Sequence, residues 1–432
     1  MGMRTKKHSH PQLAIRMQMK PRPIFTDLCT CAKNLYNRAT YEVRQEFFKT
    51  GKWIQYISLY HRLKHEPVYL ALKDISDSYL PQQVLRQVEQ IWRSFFNGLK
   101  AWKTDPTKFQ ARPREPRYKP KNGLHMLNFP RPQVRIREKQ ILFARNLMVR
   151  GFPTFSLGTL PLTAETCVGA RLVPYYDRFV VELLYEVQVH PFPTTDSSSP
   201  RAMGIDLGLN NLVTTSDGLL VKGGVVKTIN QWYNKQLAHY RSIAATHNQQ
   251  FSTHRIQSLQ RGRMNRLQNF FHQTSRRIIT YCLQHNIDTL VIGYNARWKQ
   301  HCNLGKRTNQ SFVQIPFLKF VQMLEYKAKL VGMTVVRVNE AYTSQQCSQC
   351  GYVDKRNRKS RGCFCCRKCG HHLNADYNAA RNILQRYINR SQVIPTVSSP
   401  SSVAHLPDSG CVTHPVQNYL LNSCLTNQVI TP

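Results

Sequence analysis

The chain has 432 residues, enough to bury two or three cores, so a multidomain globular protein is expected. It carries 61 Lys and Arg against 23 Asp and Glu, a net charge of +38, which exceeds what solubility requires and predicts a polyanionic partner such as nucleic acid. No apolar run approaches the ~20 residues of a membrane-spanning helix, and no signal-peptide core follows the basic start, so we expect a cytoplasmic protein without a membrane partner.

The N-terminal half predicts a basic strand, a helical segment and a second set of strands. The first 23 residues carry six Lys or Arg and no acid, and they alternate around LAIRMQM like a half-buried strand. From residue 24 to 108, apolar residues recur three and four positions apart, which indicates helices. The clearest core-facing stripe comprises Val84, Val88, Ile91, Trp92, Phe95, Leu99 and Trp102. Residues 125–190 then read as short strands that could close a small barrel with the opening strand.

An extended basic segment, FQARPREPRYKPK at residues 109–121, separates the helices from the later strands. Because Pro recurs between the Arg and Lys residues, this segment cannot form a helix. It is suited to following a phosphate backbone, and a solvated basic loop is the alternative.

The C-terminal half begins after a Pro- and Ser-rich linker, HPFPTTDSSSPRA at residues 190–202. The predicted order is the strand AMGIDLG, two cationic helices, the strand TLVIGY, a helix opened by Pro316, the strand TVVRVN, a cysteine cluster and the helix ADYNAARNILQRYI. No acid occurs between Asp217 and Asp288, which suits a nucleic-acid channel. Residues 391–432 lack Lys and Arg, are rich in Ser and Pro, and are expected to be disordered.

Six of the thirteen cysteines lie between Cys347 and Cys369, and this clustering favours a metal site over disulfides. Cys347 with Cys350, and Cys366 with Cys369, form two CxxCG motifs that supply four thiolates for a structural zinc ion. Cys363 leaves an alternative, because Cys363 and Cys366 also form a CxxC pair. We favour Cys366 with Cys369 because this pair mirrors the first motif; unmetallated core thiols are the competing interpretation.

Two acids flank this predicted zinc ribbon along the chain. Asp206 stands in the middle of the apolar stretch MGIDLGLNNL, where an unpaired charge is costly unless a partner such as a cation compensates it. Asp376 lies near the start of the last predicted helix, where it could equally cap the helix or pair with its dipole. Alone, each acid is a weak signal of a site.

Taken together, these motifs resemble those of the TnpB (OrfB) family of insertion-sequence proteins, relatives of the compact type V CRISPR effectors. The matching stretches are GIDLGLNNLVTTSDG, YTSQQCSQCG and RGCFCCRKCGHHLNADYNAARNIL, and the resemblance covers roughly residues 1–390. It implies an RNase H-like RuvC domain with an inserted zinc ribbon, preceded by a β-barrel wedge domain that a helical recognition domain interrupts. The implied boundaries are wedge 1–23 and 109–200, recognition domain 24–108, RuvC 201–343 and 373–390, and zinc ribbon 344–372.

The resemblance further implies an RNA-guided DNA endonuclease with a guide RNA from the transposon end, a target DNA and two catalytic Mg²⁺ ions. It assigns Asp206 and Asp376 as ligands and expects a Glu after LVI, where this chain has Gly293. Glu340 ends the next strand, where the family usually has no acid. If the two strands are neighbours, ~4.8 Å apart, Glu340 could fill the gap.

We therefore predict Asp206, Glu340 and Asp376 as the magnesium ligands of a monomeric endonuclease. Glu340 could instead be an ordinary acid at the end of a strand, which would leave a nuclease-inactive RNA-guided DNA-binding repressor. A zinc-ribbon transposase accessory protein that binds DNA without RNA is a third possibility.

Overall fold

The computed structural model describes residues 11–109, 111–158, 160–193, 201–247, 252–295, 305–360, 362–392 and 412–413. The chain forms two compact units, residues 1–187 with 404–432, and residues 188–403. Within the described ranges, no helix is long and apolar enough to span a membrane. Most of the predicted disordered tail, residues 391–432, and residues 194–200 of the predicted linker lie outside the described residues.

The first unit opens with the predicted basic strand, followed by four helices. These elements are β1 (Gln12–Met19), α1 (Pro23–Thr50), α2 (Tyr56–Leu63), α3 (Pro67–Ile75) and α4 (Tyr79–Thr104). Helices α1 and α3 each begin at a Pro, whose fixed φ suits the first helical position. On α4 the predicted stripe is buried at Val84, Val88 and Trp92, whereas Ile91 is exposed. The buried face follows steps of four residues, and Ile91 therefore falls at its rim.

The second part of the first unit consists mainly of antiparallel strands. Its elements are β2 (Leu127–Pro130), β3 (Val134–Arg137), β4 (Gln140–Phe143), α5 (Arg145–Val149), β5 (Phe155–Ser156), β6 (Cys167–Tyr175) and β7 (Arg178–Glu186). Strand β1 pairs along its whole length with β7, in the order β1-β7-β6-β2, and β3, β4 and β5 form a separate sheet. These strands do not close the expected barrel. The edge strand β2 has four residues and ends at Pro130, which has no N–H to extend the ladder.

The basic segment 109–121 is extended, as predicted, and it is held against α1. The amide of Asn37 accepts a hydrogen bond from the backbone N–H of Lys119 (2.8 Å) and donates one to its carbonyl (2.9 Å). The ammonium of Lys33 donates to the carbonyl of Lys121 (2.8 Å). Because these contacts use the backbone of the segment, its own cationic side chains stay available at the surface.

The second unit is built on a five-stranded mixed sheet. Its elements before the cysteines are β8 (Ala202–Leu207), β9 (Asn211–Thr215), β10 (Leu220–Lys222), α6 (Gly224–His247), α7 (His254–Gln284), β11 (Thr289–Gly293), α8 (Lys306–Val313), α9 (Phe317–Leu330) and β12 (Thr334–Val338). The strand order is β10-β9-β8-β11-β12, and β8, β11 and β12 run parallel. The expected neighbourhood of β11 and β12 is therefore confirmed.

A small hairpin and a long helix complete the second unit: β13 (Cys363–Cys365), β14 (His372–Asn374) and α10 (Ala375–Gln392). Leu290 and Ile292 of β11 pack with α7 and α9, whereas Val291 packs with Ile383 of α10, so helices cover both faces of the sheet. This burial on both faces explains the continuous apolar sequence of β11. A two-residue strand, β15 (Val412–Thr413), pairs with β1 in the first unit.

Candidate metal and carboxylate centre

The four cysteines of the two CxxCG motifs converge. The sulfur atoms of Cys347 and Cys369 lie 3.7 Å apart, those of Cys350 and Cys366 lie 3.5 Å apart, and all four lie within 4.8 Å of one another. A tetrahedral zinc site with Zn–S bonds of ~2.3 Å has sulfur–sulfur separations of about 3.8 Å. The four thiolates therefore fit a zinc ion, and Cys363 is not part of the group.

The two motifs share one backbone geometry. After each second cysteine comes a glycine with positive φ, 74° at Gly351 and 73° at Gly370. Each glycine N–H donates to the carbonyl of the first cysteine of its motif, at 2.9 Å in both cases. This left-handed turn is the reason that a glycine stands at both positions.

The three predicted carboxylates lie on elements that meet at one edge of the sheet. Asp206 lies near the carboxyl end of β8, Glu340 lies two residues beyond the end of β12, and Asp376 lies in the first turn of α10. The carboxyl ends of parallel strands are where open α/β sheets bind ligands. Helix α10 approaches β8 closely because Gly204 has no side chain: a Cβ there would lie 2.3 Å from the carbonyl oxygen of Ala380.

Gly293 and Glu340 share one small space. A Cβ on Gly293 would lie 2.9 Å from Oε2 of Glu340 and 2.5 Å from Cδ1 of Ile383, so the volume above this glycine is already filled. Oε2 of Glu340 is buried and has no hydrogen-bond partner among the described residues. The backbone at Glu340 is fixed, because its N–H donates to Asn295 Oδ1 (3.2 Å) and its carbonyl accepts from Thr343 Oγ1 (2.8 Å).

Burial and neighbouring charge raise the proton affinity of two of these carboxylates, Glu340 and Asp206. Burial raises the pKa of Glu340 to about 7. Burial also raises the pKa of Asp206 well above its usual value, and the negative charges of Glu340 and Asp376 add to this, while Arg358 partly opposes it. The side chains of Asp206 and Glu340 both keep some solvent-accessible surface. Their pKa values are raised because surrounding protein replaces most of the water around each carboxyl group. Acids gathered in this way would be stabilised in their charged form by a cation.

Two further side chains contact Asp376, and the sequence analysis missed both. Nδ2 of Asn211 donates a hydrogen bond to Oδ2 of Asp376 at 2.8 Å, and Nη2 of Arg358 lies 3.4 Å from Oδ1. Asn211 lies within the stretch GLNNL next to Asp206, so its position was a usable signal. Arg358 stands in the cationic run KRNRKSR, and nothing in the sequence distinguishes it from its neighbours.

A pair of buried asparagines fastens α10 to the start of the ribbon. The side-chain amides of Asn378 and Asn382 both donate to the carbonyls of Thr343 and Gln346, at distances between 2.7 and 3.5 Å. Oδ1 of Asn378 also accepts a hydrogen bond from the N–H of Ser348 at 2.9 Å. The helix that carries Asp376 is therefore tied to the segment that leads from Glu340 into the zinc motifs.

Comparison with known proteins gives two family matches, both beyond residue 181. Residues 317–383 match the Cas12f1-like TNB domain, and residues 182–299 match the OrfB family described as a probable transposase. The putative RNA-guided DNA endonuclease InsQ of Escherichia coli is 25% identical over 368 residues, which cover 81% of this chain and 85% of that protein. Cas12f1 of Sulfoacidibacillus thermotolerans is 36% identical over 112 residues, covering 26% of this chain and 25% of that endodeoxyribonuclease.

A second Cas12f1, from Syntrophomonas palmitatica, is 25% identical over 48% of this chain, so the match spans about half of that relative's length (49%). Among solved structures, a Cas12f1–sgRNA–target DNA complex aligns with a TM-score of 0.33 at 17% identity, covering 86% of this chain and 98% of that one. The mini-RNA-guided endonuclease Cas_phi3 aligns with a TM-score of 0.46 at 11% identity, covering 87% and 92%. The two family matches include the strands, the cysteine motifs and the last helix of the candidate site, so over residues 182–299 and 317–383 the chain is similar to the OrfB and Cas12f1-like families.

Proposed function

We propose that the protein is a transposon-encoded, RNA-guided DNA endonuclease in which Asp206, Glu340 and Asp376 bind the catalytic metal. The single observation that carries this proposal is the position of the Glu340 carboxylate. It occupies the space above Gly293, and its Oε2 is buried and has no hydrogen-bond partner among the described residues. An ordinary acid at the end of a strand would turn towards water, because burying an unpaired carboxylate is unfavourable.

The residues present fit magnesium. Carboxylate oxygens are the protein ligands that Mg²⁺ prefers, and the pKa values of Asp206 and Glu340 are raised mainly by burial, a cost that a bound cation would offset. When bound, two Mg²⁺ ions would supply Lewis-acid stabilisation of the attacking and leaving oxygens of a phosphodiester. The chain itself fixes the carboxylates: Asn211 orients Asp376, and Thr343 holds the backbone of Glu340.

Arg358 is proposed to position the scissile phosphate. Its guanidinium lies 3.4 Å from Asp376 and keeps a side-chain exposure of 37%, so it faces both the carboxylates and solvent. A guanidinium matches the geometry of phosphate oxygens and is always charged. A metal ion held by Asp376 would compete with this pairing, which would leave the Arg358 guanidinium available to the substrate phosphate.

The fold proposal is an RNase H-like RuvC domain with an inserted zinc ribbon. The mixed sheet supports the RuvC part, since its three parallel strands direct the site residues to one edge. Cys347, Cys350, Cys366 and Cys369 are proposed to hold a structural zinc ion in the ribbon, residues 344–372. The wedge domain, without a closed barrel, and the helical recognition domain at 24–108 remain proposals for the first unit.

Guide RNA from the transposon end and target DNA are the proposed partners of a monomeric protein. In the first unit the docked segment 109–121 exposes its cationic side chains, namely Arg112, Arg114, Arg117, Lys119 and Lys121. In the second unit Arg266 stacks on the exposed ring of Trp232 at 5.0 Å, and Arg255 stacks on Tyr240 at 5.3 Å. Cations on aromatic rings suit nucleic-acid binding, because the rings can stack with bases while the cations contact phosphates.

The second candidate function is an RNA-guided DNA-binding repressor without nuclease activity. Gly293 favours it, because a glycine has no side chain with which to ligate a metal ion. In this case Glu340 would be a buried acid without a metal, and the cationic surfaces would still bind the guide and the target. Sequence recognition by base pairing does not depend on the nuclease centre.

The deciding experiment uses the protein purified with the RNA of its own locus. It is incubated with Mg²⁺ and a plasmid library that carries the guide-matched target beside randomised flanking bases. Wild type is compared with Glu340→Gln and with the control Glu325→Gln, which changes an acid of α9 that pairs with Arg337. Because even outer-shell partners of a metal site are worth roughly 10- to 100-fold, we expect Glu340→Gln to lose cleavage by about a hundredfold or more.

If wild type and Glu325→Gln cleave the target and Glu340→Gln does not, the result supports Glu340 as a metal ligand. Equal cleavage by all three proteins contradicts a role for Glu340. Guide-dependent binding without cleavage by wild type favours the repressor, and absence of co-purified RNA argues against both RNA-guided functions.

A further inference from the structure

The outer face of the β13–β14 hairpin carries three metal-binding side chains outside the four-cysteine group. Sγ of Cys363 lies 3.1 Å from Nε2 of His372. Cys365 stands directly opposite His372 in the register of the two strands. Successive residues of a strand point to opposite faces, so Cys363 and Cys365 share one face while Phe364 takes the other.

The two faces of this hairpin have different roles. Phe364 is fully buried and packs with Cys347 and Cys366 in the core of the ribbon, and Leu373 packs against the same cluster. Cys363 and Cys365 are half-buried and His372 is exposed, so their face is open to solvent. Two cysteines of the proposed zinc site, Cys347 and Cys366, belong to this core, whereas Cys363 and Cys365 lie on the opposite, solvent-facing side of the hairpin.

A disulfide does not suit these two thiols. Alternate residues of an extended strand have Cα atoms ~6.6 Å apart, at the upper end of the disulfide range, and their Cβ atoms do not converge to the ~3.8 Å that a disulfide needs. Bridging by a metal ion has looser requirements. With Zn–S of ~2.3 Å and Zn–N of ~2.0 Å, a tetrahedral site separates sulfur and nitrogen by about 3.5 Å. The observed 3.1 Å between Cys363 and His372 differs by a few tenths of an ångström.

The third ligand, Cys365, does not lie within 4.8 Å of both Cys363 and His372 in the structure, so it joins them only if its side chain turns. Residues directly opposite each other in an antiparallel pair have Cβ atoms ~5 Å apart, so Cys365 can reach a metal on His372 by a change of side-chain rotamer. Two thiolates and one imidazole select zinc-like cations, and three protein ligands leave one coordination position open.

We propose that Cys363, Cys365 and His372 form a second metal site, for a thiophilic divalent cation of the zinc class, on the outer face of this hairpin. This hairpin site is connected to the proposed nuclease centre by Asn374. Asn374 stands opposite Cys363, and its Oδ1 accepts a hydrogen bond from the N–H of Asp376 at 2.9 Å. A cation bound to the hairpin therefore restrains the residue that caps α10 just before the proposed ligand.

The test uses the full-length protein and Zn²⁺ as the probe. The first readout is the zinc retained per chain against a competing chelator of moderate affinity. We expect two equivalents for wild type, one for the double variant Cys363→Ser/His372→Gln, and two for the control Cys31→Ser, which removes a half-buried thiol of α1. One equivalent in wild type, or two in the double variant, would overturn the proposal.

The second readout resolves the two sites from each other. Alkylation by N-ethylmaleimide, mapped by peptide mass spectrometry, is compared at one and at two equivalents of Zn²⁺. Because a metal-held thiolate is a poor nucleophile, the second equivalent should slow modification of Cys363 and Cys365 by about tenfold or more. His372→Gln, which keeps all thiols, should abolish this protection and leave that of Cys347 and Cys350 unchanged.

Unchanged alkylation rates at Cys363 and Cys365 on adding the second equivalent refute the outer site. Loss of protection at Cys347 and Cys350 in wild type would instead refute the four-cysteine site. The two failures are therefore distinguishable.

Discussion

Replacing Glu340 with Gln should stabilise the magnesium-free protein at alkaline pH. Burial gives the Glu340 carboxyl a pKa of about 7 in place of 4.5. Between these two values the folded state binds more protons than the unfolded state, so the free energy of unfolding falls as the pH rises through this window. Above pH 7 the carboxyl is ionised in both states, and the loss is complete. Gln is neutral and of similar shape, and it carries no such penalty.

The magnitude follows from the two pKa values. Each tenfold difference in proton affinity corresponds to ~1.4 kcal/mol, which sets a ceiling of about 3 kcal/mol for Glu340. The side chain keeps some solvent-accessible surface, and screening reduces the effect, so we expect about 1 kcal/mol at pH 8. The same argument predicts that the difference between wild type and variant shrinks towards zero as the pH falls to 4.5, below which the carboxyl is protonated in both states.

The assay is urea unfolding between pH 5 and 8.5, in buffer without Mg²⁺ but with bound zinc retained. Glu325→Gln is the matched control, because Glu325 forms a partly exposed ion pair with Arg337 and gains nothing from neutralisation. The reasoning fails if Glu340→Gln is no more stable than wild type at pH 8. Addition of Mg²⁺ should stabilise wild type more than the variant, since Gln lacks the charge that a cation would neutralise.

Three further outcomes are expected from thermal unfolding and cleavage assays. Gly293→Ala should lower the free energy of unfolding by about 1–3 kcal/mol through overpacking and should also reduce cleavage. Adding Ile383→Val should restore stability but not cleavage, because the new Cβ still contacts the Glu340 carboxylate. Recovered cleavage in the double variant would contradict this reasoning. Asn382→Ala should cost about 1–3 kcal/mol by removing a buried donor, whereas Asn389→Ala on the exposed face of the same helix should be neutral. Cys350→Ser should release one zinc equivalent and lower the melting temperature although Cys350 is exposed, and zinc content equal to that of wild type would contradict the four-cysteine site.

Local signals in the sequence were sufficient for the longer elements of the second unit, but not for β9, β10, α8 or the β13–β14 hairpin. The strand β8, the cationic helix α7 and the helix α10 all lie where the apolar periodicity places them. The grouping of the four cysteines also follows from local spacing, because each CxxCG motif closes its own turn. Interactions of this kind span few residues, so a single sequence contains them.

Features that depend on distant contacts were not predictable in the same way. The expected barrel depended on pairings between strands far apart in the chain, and the described strands form two open sheets instead. Arg358 and the asparagines of α10 act only because other segments fold against them: Arg358 meets Asp376 across the hairpin, and Asn382 meets carbonyls that precede the ribbon. Their residue types alone carry no such information.

Gly293 and Glu340 make sense only as a pair. The strands that carry them are parallel neighbours, and Gly293 stands opposite Val338 in the register, two residues before Glu340. A Cβ at position 293 would lie 2.9 Å from Oε2 of Glu340. A side chain at the end of β11 and the Glu340 carboxylate in its present position therefore exclude each other. Gly293→Glu alone should therefore not restore an ordinary site. The Gly293→Glu variant would hold two carboxylates in one space and should lose cleavage. Cleavage should return only when Glu340→Ala and Ile383→Val are added to Gly293→Glu in the same protein.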